Sequence, residues 1–251
     1  MKNFLIVSAI LLFITTPGRP QDSIISEMME TQRAIVEIKA ENTDVFKTPG
    51  ASAAIDPKTG RIVVARKLVR GSYERNGAGV VIHPSGIIVT NAHTINKANT
   101  IQVVLESQES FFAQPVQFIN ELDIALLKIN APRPLPFVQL ADSDAIKLGQ
   151  EVLTIGNSAF LKNTISGGQI IGIGVSRTLK HIGQQRTDLI QTTVNLYHGD
   201  SGGPLFNRHG QLIGLMTADE GAADHSSFAI PSNKIKKYLV EYLNSKKEKI
   251  N

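Results

Sequence analysis

Residues 199–205 of this 251-residue chain read GDSGGPL, and this run constrains the fold more than any other feature of the sequence. Gly199 can adopt backbone angles that other residues avoid, so the chain can turn tightly there. A tight turn would aim the backbone N–H groups of Gly199 and Ser201 into one hole. There they could stabilise the oxyanion that forms when the Ser201 hydroxyl attacks a carbonyl. A glycine-rich surface turn is the alternative interpretation, and the residues upstream favour the first.

A candidate base lies at the end of a predicted strand. Residues 87–90 read IIVT, a β-branched run typical of a strand, and lead through Asn91 and Ala92 into His93. The backbone turns where a strand ends, so the imidazole could enter a cleft. A lone histidine is more commonly structural. His93 becomes a candidate base only together with an acid and a nucleophile.

Asp123 is the candidate acid, because it interrupts a nearly continuous apolar run. A carboxylate buried between Leu122 and Ile124 needs a hydrogen-bonding partner. The ring N–H of His93 would be that partner and would fix the tautomer that accepts the Ser201 proton. The rival carboxylates lie in polar, loop-like surroundings; they are Asp142, Asp144 and Asp188.

Short apolar segments, many with period-two alternation, recur along the chain between turns that contain glycine and proline. They predict an all-β fold with two β-rich halves, one over about residues 34–131 and one over about 147–231. Residues 132–136 (PRPLP) would form a stiff linker between the halves. A short helix is expected from about residue 22 to Thr31. Pro231 and Ser232 would cap a C-terminal helix over about residues 233–244.

Residues 1–18 have the composition of a secretory signal peptide. Lys2 provides a short positive region, residues 4–14 form an apolar run, and small residues follow up to Gly18. The apolar run is shorter than the roughly 20 residues that cross a bilayer as a helix. We therefore expect an exported, periplasmic or secreted protein comprising residues 19–251, with no stable membrane insertion. An uncleaved membrane tether is the alternative.

The composition excludes several other classes of function. The chain has no cysteine, which excludes a thiol nucleophile and a thiolate zinc site, and leaves packing alone to stabilise the fold. The net charge of +4 is small for this length and argues against a nucleic-acid partner. The other histidines lack paired metal-ligand spacing, so we expect neither a metal nor a cofactor.

The motifs around His93 and Ser201 resemble those of the chymotrypsin-like serine proteases, in which the triad has the same chain order of His, Asp and Ser. Four stretches are also similar to the HtrA (high-temperature-requirement) branch: GAGVVIHPSGIIVTNAH (77–93), DIALLKI (123–129), GNSAFLKNTISGGQIIG (156–172) and FAIPSN (228–233). The resemblance covers roughly residues 23–244. It implies a trypsin-like double barrel, in which two six-stranded β-barrels pack against each other, with a short N-terminal helix and a C-terminal helix.

The same resemblance implies a serine endopeptidase that forms an acyl-enzyme through Ser201, His93 and Asp123, with Gly199 and Ser201 forming the oxyanion hole. Its partner would be a polypeptide substrate, either an unfolded envelope protein or a secreted protein. Two other functions stay open. One is a catalytically idle chaperone or binding protein that keeps the fold, and the other is an esterase, which uses the same acyl transfer.

Several positions depart from the HtrA pattern. The family usually has an asparagine before the nucleophile, where this chain has Asp200, and it usually carries PDZ domains, which we do not expect before Asn251. HtrA trimers depend on N-terminal aromatic residues, and residues 22–34 contain none, so both a monomer and a trimer stay open.

The primary substrate pocket is assigned by analogy with the family. Asn195 and Leu196 would line its base, with Leu215 and Met216 on the neighbouring strand. None of the four is charged. We therefore expect cleavage after small or medium apolar residues, with the substrate peptide added as a strand beside residues 215–218.

Overall fold

The computed structural model describes residues 31–47, 52–55, 62–65, 68–156, 164–179, 184–196, 199–219 and 226–247. The predicted signal peptide and nearly all of the predicted N-terminal helix lie outside these residues. Within them, no helix is both long and apolar enough to span a membrane.

The described part is dominated by β-strands. In chain order these are β1 Ile35–Lys47, β2 Ser52–Ile55, β3 Ile62–Ala65, β4 Leu68–His83, β5 Ile87–Thr90, β6 Thr100–Val104, β7 Ser110–Phe112, β8 Gln114–Ile119, β9 Ile124–Lys128, β10 Glu151–Gly156, β11 Thr164–Leu179, β12 Gln184–Thr192, β13 Pro204–Asn207, β14 Leu212–Asp219 and β15 Ser227–Pro231. The helices are α1 Ala92–Ile95 and α2 Ser232–Lys247, and two 3-10 helices span Asn120–Leu122 and Ser143–Ala145.

The first half is a seven-stranded antiparallel sheet in the order β7-β6-β1-β4-β5-β9-β8, with β2 and β3 as a separate hairpin. Val36, Ile38 and Ala40 of β1 face inward, as their period-two spacing predicts. The strand count differs from the expected six. The sheet includes β8, which pairs with β9 at its edge.

The second half is a closed six-stranded barrel in the order β10-β11-β12-β15-β14-β13. Pro204 opens β13. A proline is tolerated there because the first residue of a strand can lack a ladder N–H. Together with the first sheet and α2, this barrel confirms the predicted fold class.

The two halves share one apolar core. Ile88 and Leu126 of the first half belong to the same buried cluster as Ile155, Leu189 and Phe206 of the second. A smaller cluster lies within the barrel around Ile170, Ile190 and Met216. The shared cluster fixes the halves against each other, so loops from both can build one site.

Helix α2 begins at Ser232, but the expected cap is wrong. The Ser232 hydroxyl donates to the carbonyl of Ala141 at 2.8 Å instead of accepting a bond from its own helix. The first-turn N–H of Asn233 donates to Ser143 Oγ at 3.1 Å. A residue far away in the sequence therefore satisfies this helix terminus.

Candidate active site

His93 lies in the short helix α1, directly after β5. All four residues of β5 are buried, and β5 is paired on both sides, with β4 and with β9. Arg75 of β4 donates from Nη1 to the carbonyls of His93 (2.9 Å) and Asn96 (3.3 Å) at the C-terminal end of α1. The His93 side chain keeps 21% of its surface exposed. The ring is thus held on a rigid strand end but can be reached from solvent.

Asp123 lies between the first 3-10 helix and β9, with a left-handed backbone (φ 57°). Aspartate tolerates this conformation better than most residues. Its N–H donates to the carbonyl of Asn120, and its carbonyl accepts from the N–H of Ala92, both at 3.2 Å. The side-chain amide of Asn91 donates to the same Asp123 carbonyl at 3.2 Å. The turn is therefore fixed to the start of α1.

The Asp123 carboxylate makes a double contact with His93. The ring Nδ1 lies 2.8 Å from Oδ2 and 3.0 Å from Oδ1, and the backbone N–H of His93 donates to Oδ1 at 2.9 Å. The hydroxyl of Thr217 on β14 donates to Oδ2 at 2.6 Å. Residue 123 is only 1% exposed. The buried charge that the sequence predicted therefore has partners from both halves of the protein.

These partners determine the ionisation of Asp123. Burial by itself would raise the pKa of the carboxyl group. The hydrogen bond and charge of His93, the Thr217 hydroxyl and the His93 backbone N–H outweigh that effect and hold the pKa below its usual value. Asp123 is thus stable as a carboxylate in a buried site.

Ser201 lies in a turn that only glycine-rich sequence can form. Gly199 and Gly202 have φ values of 99° and 85°, in the left-handed region. A Cβ atom on Gly202 would stand 2.3 Å from the carbonyl oxygen of Ala78 and 2.5 Å from Thr90 Oγ1. Both distances are too short for any side chain, so this position requires glycine.

The Ser201 turn meets α1 over Gly77. The carbonyl of Ser201 accepts from the N–H of Ala78 at 2.9 Å. A Cβ on Gly77 would stand 3.2 Å from that same carbonyl oxygen and 2.6 Å from Cγ2 of Thr94, the residue after His93. Gly77 therefore permits the close approach of the second-half turn to the helix that carries His93.

The turn contains two backbone N–H groups, of Gly199 and Ser201, that flank Asp200. Among the residues that the structure describes, the N–H groups of Gly199 and Ser201 donate to none. Asp200 between them is 4% exposed, and its carboxylate lies beside Gly156 of β10, where an added Cβ would stand 3.1 Å from Oδ1. The side chain of residue 200 thus packs into the barrel.

The predicted pocket residues have different environments. Asn195 is exposed, and Leu196 is half-buried against the smaller cluster of the barrel. Leu215 and Met216 are both 0% exposed, with Leu215 in the shared core and Met216 in the smaller cluster. Their assignment to the pocket stays a prediction, and in this structure their side chains stabilise the cores.

Two of the three rival carboxylates, those of Asp142 and Asp188, have partners near α2. Asp142 Oδ1 accepts from the side-chain amide of Asn233 (2.7 Å) and from the N–H of Asp144 (3.0 Å), and these two bonds lower the pKa of Asp142. Asp188 Oδ2 lies 3.0 Å from the ammonium of Lys234. The part of the chain that the structure describes contains no group of three or more acidic or histidine residues that could hold a metal ion.

Three residues of this site are not among those that the sequence predicts. They are Thr217, Arg75 and Arg186, and Arg186 donates from Nη2 to the carbonyl of Asn120 at 2.7 Å. Each binds an acceptor that is remote in the sequence. A local pattern carries no signal for such a contact.

A family model defines the class of protein. The model of the trypsin-like peptidase domain matches residues 77–215, a segment that contains His93, Asp123 and Ser201. This chain belongs to the trypsin-like peptidase family.

Curated relatives narrow the class to one branch. The chain is 37% identical over 192 residues to serine protease HTRA1A of Danio rerio, covering 74% of this chain and 39% of that protein. It is 35% identical over 199 residues to serine protease HTR4 of Rattus norvegicus (76% and 40%). It is 37% identical over 173 residues to periplasmic serine endoprotease DegP of Salmonella typhimurium (66% and 36%). The chain spans about two fifths of the length of these relatives. The matched part is the serine endopeptidase domain of the HtrA type, which confirms the resemblance stated from the sequence.

Proposed function

We propose that this protein is an exported serine endopeptidase that cleaves unfolded or secreted polypeptides through Ser201, His93 and Asp123. The observation that carries the proposal is the double contact between the buried Asp123 carboxylate and Nδ1 of His93, at 2.8 and 3.0 Å. This contact directs Nδ1 of the ring toward the acid, as the base of a triad requires. Ser201 is the candidate nucleophile, because its turn meets α1 over Gly77.

The chemistry follows from these positions. Asp123 holds the His93 tautomer in which Nδ1 carries the proton, so that Nε2 can accept the proton of the Ser201 hydroxyl as the oxygen attacks the peptide carbonyl. The imidazolium that forms is stabilised by the carboxylate, which stays ionised. His93 then protonates the leaving amine, and a water molecule, activated by the same ring, hydrolyses the acyl-enzyme.

The oxyanion would be stabilised by the backbone N–H groups of Gly199 and Ser201. The positive φ of Gly199 supports this role, because it turns successive N–H groups to one side of the chain. Neither group donates to an acceptor among the described residues. A donor of this kind contributes on the order of 3 kcal/mol to the transition state.

The proposed location and substrate class have separate support. The apolar run 4–14 has the length of a signal peptide core, and one relative is named a periplasmic endoprotease. The uncharged Asn195 and Leu196 favour cleavage after small or medium apolar residues. Cleavage of a peptide library tests this preference, and dominant cleavage after Arg, Lys or Glu would contradict it.

Casein digestion by the full chain tests the proposed activity. Replacing Ser201 with Ala should lower kcat by about 10⁶, and a fluorophosphonate probe should label the wild type but not this variant. Ser110→Ala, at an exposed serine of β7, is the matched control and should keep the wild-type rate. Undiminished digestion by Ser201→Ala would refute the assignment. Absence of both digestion and labelling in the wild type would favour the idle chaperone, and cleavage of short-chain esters without casein digestion would favour the esterase.

A further inference from the structure

The turn that carries Asp123 is held by a residue of the other half. Asn120 opens the 3-10 helix that ends at Leu122, directly before Asp123, and its carbonyl oxygen accepts two hydrogen bonds. One comes from the N–H of Asp123 at 3.2 Å and closes the turn. The other comes from Nη2 of Arg186 at 2.7 Å. Arg186 belongs to β12 of the barrel, so the bond crosses between the halves.

Arg186 is buried, being 6% exposed. A buried guanidinium is costly unless its donors have acceptors. Among the described residues Nε of Arg186 has no acceptor, and Nη2 has the Asn120 carbonyl. The planar guanidinium on β12, which pairs with β11 and with β15 in the closed barrel, is well suited to hold one backbone carbonyl at a fixed distance. The 3-10 turn is thereby attached to a rigid part of the second half.

We propose that Arg186 is a positioning residue that holds the turn of Asp123 in the orientation required for the His93 contact. The inference rests on the proposed function, because it assigns a role within that same site. Asp123 has an uncommon left-handed backbone and is followed at once by β9, so a shift at Asn120 is passed directly to the carboxylate.

A positioning role predicts a selective loss in the chemical step. Misplacement of a catalytic group by about 1 Å can lower a rate about 100-fold. We expect Arg186→Met to lower the limiting rate of fluorophosphonate labelling about 10- to 100-fold, with the half-saturating probe concentration unchanged. Arg186→Lys keeps a cationic donor with a different reach and should recover part of the rate.

The matched control is Arg177→Met. Arg177 is the register partner of Arg186 on the adjacent strand β11 and is exposed. This substitution removes the same charge from the neighbouring strand. The variant should be labelled by the fluorophosphonate probe at the wild-type rate. Thermal unfolding by circular dichroism then separates a loss of folded protein from a loss of rate per folded molecule.

A spectroscopic measurement keeps the test independent of catalysis. In the full chain carrying Ser201→Ala, the proton between His93 Nδ1 and Asp123 should give a far-downfield ¹H NMR signal. Arg186→Met should shift or broaden this signal, whereas Arg177→Met should not. If the wild type is not labelled at all, the proposed function fails, and the NMR comparison alone supports or overturns the role of Arg186.

The proposal is overturned if Arg186→Met labels at the wild-type rate per folded molecule and leaves the downfield signal unchanged. It is also overturned if the half-saturating concentration changes while the limiting rate does not. If Arg186→Met fails to fold, the two measurements on Arg186→Lys decide instead. A reduced limiting rate with an altered signal then supports the proposal, and wild-type values of both overturn it.

Discussion

Thr217→Val tests how far the Asp123 carboxylate depends on a donor from the second half. The Thr217 hydroxyl donates to Oδ2 at 2.6 Å, and neither residue is more than 1% exposed. Valine keeps the branched shape but cannot donate, so Oδ2 of a buried carboxylate loses one of its two partners and keeps only Nδ1 of His93. A hydrogen bond to a charged group contributes about 1.5–3 kcal/mol, against about 0.5–1.5 kcal/mol for a neutral pair.

Thr154→Val is the matched control within the same barrel. The Thr154 hydroxyl also donates at 2.6 Å and is 2% exposed, but its acceptor is the neutral carbonyl of Pro204. The two substitutions therefore differ mainly in the charge of the acceptor. At pH 7 we expect Thr217→Val to lower the free energy of unfolding by about 1.5–3 kcal/mol and Thr154→Val by about 1 kcal/mol.

The pH dependence distinguishes a charged acceptor from a neutral one. The folded pKa of Asp123 is held below the usual value of 3.8, so its carboxylate stabilises the fold above that value and loses this contribution as the pH falls through the folded pKa. Removal of the Thr217 hydroxyl raises the folded pKa toward the usual value. The loss caused by Thr217→Val should therefore be largest near neutral pH and shrink on acidification. The loss caused by Thr154→Val should not depend on pH.

Urea unfolding followed by circular dichroism measures both losses, in a Ser201→Ala background that prevents self-digestion. Titrations are compared at pH 7 and at the lowest pH at which the parent still unfolds cooperatively. Equal losses for the two variants at pH 7 would refute the reasoning. So would a Thr217→Val loss that stays constant or grows as the pH falls.

Three further substitutions test the supports of the site. Gly202→Ala should destabilise the fold much more than Gly149→Ala does. Both glycines have positive φ, but only the Cβ at residue 202 would meet neighbouring atoms. Equal urea midpoints for the two variants would contradict this. Arg75→Gln should lower the labelling rate about threefold to tenfold, since it releases the helix that carries His93, and an unchanged rate would show that the helix is held without it. Ser143→Ala should cost about 1 kcal/mol at all pH values by removing the acceptor of a first-turn N–H of α2; no loss in urea unfolding would contradict it.

The candidate base could be placed from the sequence because its signals are local. Residues 87–90 form β5 as predicted, since four β-branched residues in a row favour a strand buried on both faces. The turn before it closes with a bond from the N–H of Gly86 to the carbonyl of His83 at 3.0 Å. Asp123 stood out because one charge interrupts an apolar run. Both features can be recognised without knowing which residues pack against them.

The remaining features depend on partners that the sequence does not reveal. β8 reads QPVQFI, and its proline and polar residues are not typical of a strand. Such a strand is tolerated only at the edge of the sheet, where β8 lies. Arg75 and Arg186 bind backbone carbonyls, which every residue has, so nothing in the chain marks their acceptors. Thr217 lies 94 residues from Asp123 in sequence, and its hydroxyl is one of many on inward-facing strand positions.

The surroundings of Asp123 show why neither half can form this site alone. His93 belongs to the first half, whereas Thr217 and Arg186 belong to the barrel, and all three fix the same acid or its turn. The core that joins the halves is apolar, and apolar packing tolerates small displacements. Hydrogen bonds of 2.6–2.8 Å do not tolerate such displacements. Stability can therefore survive a change in docking that disrupts the orientation of the carboxylate. We expect a change in how the halves dock to affect the proposed chemistry more strongly than it affects the stability of the fold.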